Sequence, residues 1–197
     1  MENNYKIFKP QILFNEKNNP SDIWFIFKDN KLILKSLENN TLTFTTFFDI
    51  KNLLPYLNRK YPIGSLGNNS YFCGELNSNI SINNNLIEIN LREASNYLDD
   101  ISFSMAGKSS QILDWDNKSN YCGRCGSKTY FKNDERAKIC PECNLIDYPR
   151  ISPAIIVAVI KNDKLLLAHN SKFNNNRYSL IAGFVDSNET LEDCVRR

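Results

Sequence analysis

The stretch CGRCGSKTYFKNDERAKICPEC, Cys122 to Cys143, holds four of the six cysteines of this 197-residue chain. It reads as a CxxC pair, fourteen residues, and a second CxxC pair. Two thiolates at i and i+3 on a tight turn can share one metal ion, and two such knuckles joined by a short hairpin close a tetrahedral shell of four sulfurs. Gly123 and Gly126 are expected to let the backbone turn so that amide groups face those sulfurs. A closed shell leaves no position for water or substrate. The metal expected at Cys122, Cys125, Cys140 and Cys143 is therefore a structural Zn²⁺. The competing reading is a pair of disulfides or a redox CxxC. Iron–sulfur ligation fits poorly, because its usual spacings bring three cysteines close together.

Outward from the cysteines the chain is ordinary in composition, 42% hydrophobic and 23% charged with a net charge of +2. That balance is the one expected of a soluble globular protein and announces no broad field for nucleic acid or anionic lipid. The N-terminal MENNYKIFKPQILF lacks the basic start and apolar core of a secretory signal. No apolar run approaches the roughly 18–20 residues that span a membrane. Paired CxxC units in such a chain point to a reducing cytoplasm. Arg124, Lys128, Lys132, Arg136 and Lys138, with Tyr130 and Phe131 among them, make the cysteine segment mildly basic. This opens a rival reading as a nucleic-acid-binding module. Asp134, Glu135 and Glu142 dilute that charge, and lysines on such a segment usually form a solvated face.

Residues 1–116 read as a mixed α/β domain. DIWFIFKDNKLILKS is two apolar runs around Asp29-Asn30, a hairpin signal. TLTFTTFF and SYFCGEL read as further short strands. In DDISFSMAGKSSQILDWD the spacing of Phe103, Ala106, Ile112, Leu113 and Trp115 suits an amphipathic helix, weakened by Gly107. After the cysteine segment, taken as 117–149, Ala154–Ile160 reads as one apolar strand, Asn162-Asp163 as a turn and Lys164–Ala168 as its partner. RYSLIAGF is a third strand ending in a glycine loop. The helix that follows is announced by Thr190 with Asp193 three residues on, a capping box. The expected class is α/β (α+β). His169, the only histidine, reads as a strand-end surface residue; with no second histidine and no apparent acid–serine partner, a Ser-His or Cys-His hydrolase is not expected.

Gly183, Glu189 and Arg197 stand as G-x5-E-x7-R. This resembles the first part of the Nudix box. Together with the four-cysteine ribbon, YPRISPAIIVAV and YSLIAGFVDSNETLEDCVRR, it is similar to the NAD(H) pyrophosphatase subfamily of Nudix hydrolases, over roughly residues 90–197. The resemblance implies three parts: an N-terminal domain (1–116), a zinc ribbon (117–149) and the first strands of an incomplete Nudix α/β/α sandwich (150–197). It implies hydrolysis of NAD(H) to nicotinamide mononucleotide and AMP with Mg²⁺ or Mn²⁺, with NAD-capped RNA as a further expected substrate. It also implies a homodimer, or a second chain that completes the Nudix domain, and no membrane partner. Cys122, Cys125, Cys140 and Cys143 match the family's zinc ligands. Ala182 matches a position whose backbone carbonyl helps hold a catalytic cation. Arg92, Glu135, Tyr148 and Phe184 match substrate contacts, and Glu189 and Arg197 match positions that brace the loop against the helix. The family's cation-binding carboxylates fall one and four to five positions past Arg197, so the resemblance implies a chain truncated within the box. Such a chain is expected to be inactive alone. A non-catalytic zinc ribbon that binds RNA or a partner chain is the alternative.

Overall fold

The computed structural model describes residues 8–13, 19–38, 41–171 and 176–197, which divide into two compact units, one up to Pro149 and one from Arg150. In the first, the run IWFIFK forms β2 (Ile23–Lys28) and KLILKS forms β3 (Lys31–Ser36). The two are antiparallel around Asp29 and Asn30, whose φ values of 48° and 63° make the left-handed two-residue turn that matches strand twist. Ile23, Phe25 and Phe27 point to one core, while Trp24 and Ile26 point to another. The strand is thus buried on both faces, which is why its sequence runs apolar without alternation.

Around this hairpin lie β1 (Phe8–Pro10), β4 (Leu42–Thr43), β5 (Thr45–Thr46), β6 (Leu57–Leu66), β7 (Asn69–Leu76) and β8 (Leu86–Asn90). The sheet runs β1-β6-β7-β2-β3-β4, with β5 against β2 and β8 against β3; β2 and β7 are parallel and the other pairs antiparallel. SYFCGEL falls in β7 as expected. TLTFTTFF instead supplies only β4 and β5 before α1 (Phe47–Ile50), because Thr46 and Asp49 form a capping box that starts a helix. Helix α2 (Asp100–Lys118) covers one face with Ala106, Ile112 and Leu113. It is capped by Asp99, whose carboxylate accepts the Ser102 amide at 2.9 Å, and it continues through Gly107.

The cysteine segment belongs to the same unit. It carries a three-stranded sheet in the order β11-β10-β9, made of β9 (Tyr130–Phe131), β10 (Lys138–Ile139) and β11 (Ile146–Asp147). The second unit contains β12 (Ala154–Val157), β13 (Ile160–Lys161), β14 (Lys164–Leu165), β15 (Ile181–Phe184) and α3 (Leu191–Arg196). The stretch expected as one strand, Ala154–Ile160, is broken, because β12 pairs with β15 whereas β13 pairs with β14 across Asn162-Asp163. Ile156, Ile160 and Phe184 are 66%, 70% and 71% exposed, so this small sheet leaves apolar side chains uncovered. No helix among the described residues is long and apolar enough to cross a membrane, which says nothing of a β-barrel.

Candidate functional site

The two knuckles of the ribbon are built alike. After the first CxxC, the Gly126 amide donates to the Cys122 carbonyl at 2.9 Å, and the Cys122 amide to the Ser127 carbonyl at 2.8 Å. After the second, the Asn144 amide donates to the Cys140 carbonyl at 3.0 Å, and the Cys140 amide to the Leu145 carbonyl at 2.9 Å. The residue that closes each turn is left-handed, Gly126 at φ 76° and Asn144 at φ 57°. Gly126 thus has the expected role, while Gly123 is not left-handed. Asn144, which tolerates this region better than most side chains, was the missed signal.

All four Sγ atoms lie within 4.8 Å of one another, with Cys122–Cys143 at 3.5 Å, Cys125–Cys140 at 3.4 Å and Cys125–Cys143 at 3.6 Å. A tetrahedral shell with Zn–S bonds of about 2.3 Å has edges of about 3.8 Å, so the donor set fits Zn²⁺. Ser127, through hydroxyl and amide, draws the Cys125 thiol down to about 6. Cys143 goes the other way. The Leu145 amide favours its thiolate, but desolvation and the neighbouring sulfurs outweigh it and push it up to about 12. Four sulfurs this close cannot all ionise alone, and a divalent cation resolves the conflict.

The ribbon is bound to the N-terminal sheet by charges that looked like surface charges in the sequence. Lys138, on β10, is 3% exposed; its ammonium donates to Asp116 Oδ1 at 2.5 Å and to the Asp116 carbonyl at 2.8 Å. The other Asp116 oxygen accepts the Tyr61 hydroxyl at 2.6 Å and Arg59 Nε at 2.7 Å. Arg59 also pairs with Glu75. Burial, followed by these contacts with Asp116, raises the Tyr61 phenol well above its ordinary range. Arg136 donates to the Gln11 and Pro62 carbonyls at 2.6 and 2.8 Å. The Trp115 indole and the Ser119 hydroxyl both donate to Asp147 on β11, at 2.8 and 2.6 Å. The expectation of a solvated basic face is therefore corrected for Arg136 and Lys138, which are spent inside the protein. Removing one partner of such a buried pair generally costs about 3–5 kcal/mol.

The residues matched to substrate contacts fall as follows. Tyr148 is 50% exposed, and its hydroxyl donates to Glu135 Oε2 at 3.0 Å, while the other Glu135 oxygen takes Lys132. The Glu135 hydrogen bond raises the Tyr148 phenol. Arg92 occupies the N-cap position of a short 3-10 turn over Glu93–Asn96 and makes no side-chain cap hydrogen bond there. In the second unit Phe184 is exposed rather than core. Ala182 lies two residues before it on β15, opposite Ile156. A Cβ on Gly183 would meet only the Cys194 sulfur, at 4.0 Å, so space within this unit does not demand a glycine there.

Glu189 and Arg197 do meet. Arg197 Nε and Nη2 donate to the two Glu189 oxygens at 2.5 and 3.0 Å, and Nη2 also reaches the Phe184 carbonyl at 3.0 Å. Glu189 Oε2 further accepts the Asp186 amide at 2.9 Å. The Arg197 hydrogen bonds, with that amide, hold the Glu189 carboxyl down at about 2. Helix α3 starts from the Thr190–Asp193 capping box. The result is a loop strapped between a strand end and a helix start. Among the described residues the four cysteines are the only group of three or more potential ligands close enough to share a metal ion.

These features define a class: a four-sulfur ribbon fused to a mixed sheet domain and followed by a strand, a braced loop and a capped helix. The NADH pyrophosphatase zinc ribbon domain matches residues 117–148. The chain is homologous to proteins named NAD-capped RNA hydrolase NudC. That of Stutzerimonas stutzeri (strain A1501) is 40% identical over 107 residues, 54% of this chain and 39% of the relative. That of Pseudomonas aeruginosa (strain LESB58) is 43% identical over 95 residues, covering 48% and 34%. That of Photobacterium profundum is 40% identical over 100 residues, covering 51% and 38%. The matches span between a third and two-fifths of the length of these relatives.

Proposed function

We propose that this chain is part of a Nudix-type NAD(H) diphosphatase that cleaves the diphosphate of NAD(H), and of NAD-capped RNA, into its two mononucleotide halves. The observation that carries the reading is the bidentate Glu189–Arg197 pair strapping the glycine loop to α3, directly after the exposed Phe184. The ribbon and the similarity to the NudC proteins support it. In this reading Phe184 and Tyr148 stack on the dinucleotide, Arg92 and Glu135 contact it, and the Ala182 carbonyl contributes to a Mg²⁺ or Mn²⁺ site. Bound cations would neutralise the diphosphate and position the attacking water. Glu189 is committed to Arg197, and Asp193 to the helix cap, so neither is free to grip a cation. A cation there needs further carboxylates, and these, like the homodimer, are part of the proposal.

The test is chromatography for AMP and nicotinamide mononucleotide after incubation with NADH and Mg²⁺ or Mn²⁺. We expect no products from the 197-residue chain alone. We expect both from the same chain joined in frame to the remaining Nudix segment of a NudC relative. Failure of the joined, folded protein to hydrolyse NADH would sink the reading. Equal and steeply salt-dependent binding of capped and uncapped RNA would favour the zinc-module reading instead.

A further inference from the structure

From the buried contact between Lys138 and Asp116 we infer that the zinc centre latches the N-terminal domain, so that metal held by the ribbon governs the order of the sheet beneath it. The inference does not depend on the hydrolase reading.

Lys138 lies two residues before Cys140 on β10, and Cys140 is wholly buried. The strand is held on both sides, by Phe131 of β9 and Asp147 of β11. A metal bound to the second knuckle therefore fixes where the Lys138 ammonium points. That ammonium is the partner of Asp116, which also collects Tyr61 and Arg59 from β6. The positive charges Arg59 and Lys138 stand against Asp116 and Glu75, a balanced group that withdrawal of Lys138 would upset. Phe131 packs in the same place, 5.1 Å from the Tyr61 ring and 5.8 Å from Trp115. Asp147 adds a second tie to α2 through Trp115 and Ser119. Without metal the ribbon keeps only its contacts with the sheet, whereas in small metal-folded peptides the binding free energy of the metal is the folding free energy. Its strands then release, and Asp116 stays behind with Arg59 and Tyr61 but without its buried cation. Linkage runs both ways: if zinc stabilises this contact, the contact stabilises zinc by the same factor.

The test compares zinc affinity, measured by competition with a chromophoric chelator, of the wild-type chain, of Lys138→Met and of Lys128→Met, a control on the exposed face of the same ribbon. Amide exchange at Arg59–Tyr61 and Asp116–Ser119 is read in parallel. We expect Lys138→Met to bind zinc at the same stoichiometry but at least tenfold more weakly, with Lys128→Met unchanged. In the wild type, chelation should raise exchange at Arg59–Tyr61 at least tenfold along with that of the ribbon. If Lys138→Met fails to fold, Asp116→Asn takes its place with the same expectation. A zinc affinity of the variant within twofold of wild type, or loss of ribbon protection while Arg59–Tyr61 stays protected, would overturn the latch.

Discussion

Glu189 accepts from Arg197 on both oxygens and from the Asp186 amide on one, so its carboxylate is favoured far beyond that of a free side chain. Its pKa falls from an ordinary 4.5 to about 2. Because the folded value is the lower one, the pair's contribution is fully present above pH 4.5 and is lost as pH falls toward 2. Carboxyl ¹³C titration should place Glu189 near 2 and return it toward 4.5 in Arg197→Ala. A wild-type midpoint at 4.5 would mean that the strap does not form in solution. This pairing was legible in the sequence only through the family's spacing, since an acid and a base eight residues apart need not meet. The burial of Lys138 was not legible. It is one of five basic residues of similar appearance, and the aspartate that claims it lies 22 residues earlier, on a helix.

Helix α2 shows how far local propensity reaches. Its apolar spacing identified it and Gly107 argued against it, while the Asp99 cap that starts it was not read from the sequence. The helix runs through because its buried face, from Ala106 to Trp115, outweighs one glycine. A Cβ added at Gly107 would meet nothing within 4 Å. Gly107→Ala should therefore stabilise the first unit by about 0.5–1 kcal/mol, read as a higher urea midpoint at unchanged slope. Both two-residue turns, Asp29-Asn30 and Asn162-Asp163, were legible because left-handed Asn and Asp between apolar runs is a local code. Strand partners were not. Nothing in the apolar run from Ala154 to Ile160 says that its first half pairs with β15 and its end with β14. The parallel β2–β7 pairing likewise depends on where distant segments settle.

For the whole molecule, the ribbon and the N-terminal sheet form one compact unit tied by charge and aromatic contacts. Elemental analysis should find one zinc per chain. Cys140→Ser should lose most of it and lower the thermal midpoint of the unit. Full zinc occupancy with one sulfur missing would contradict a four-thiolate centre. The composition announced the metal because four cysteines in two knuckles have few other uses. It did not announce that the ribbon would be half embedded.

The four sulfurs are also unequally sheltered, with Cys140 and Cys122 buried, Cys143 intermediate and Cys125 exposed. Chemical injury to the centre thus has a preferred direction of entry. An alkylating or oxidising reagent arriving from solvent meets the first knuckle at Cys125, and the inner thiols become reachable only after that outer corner has given way.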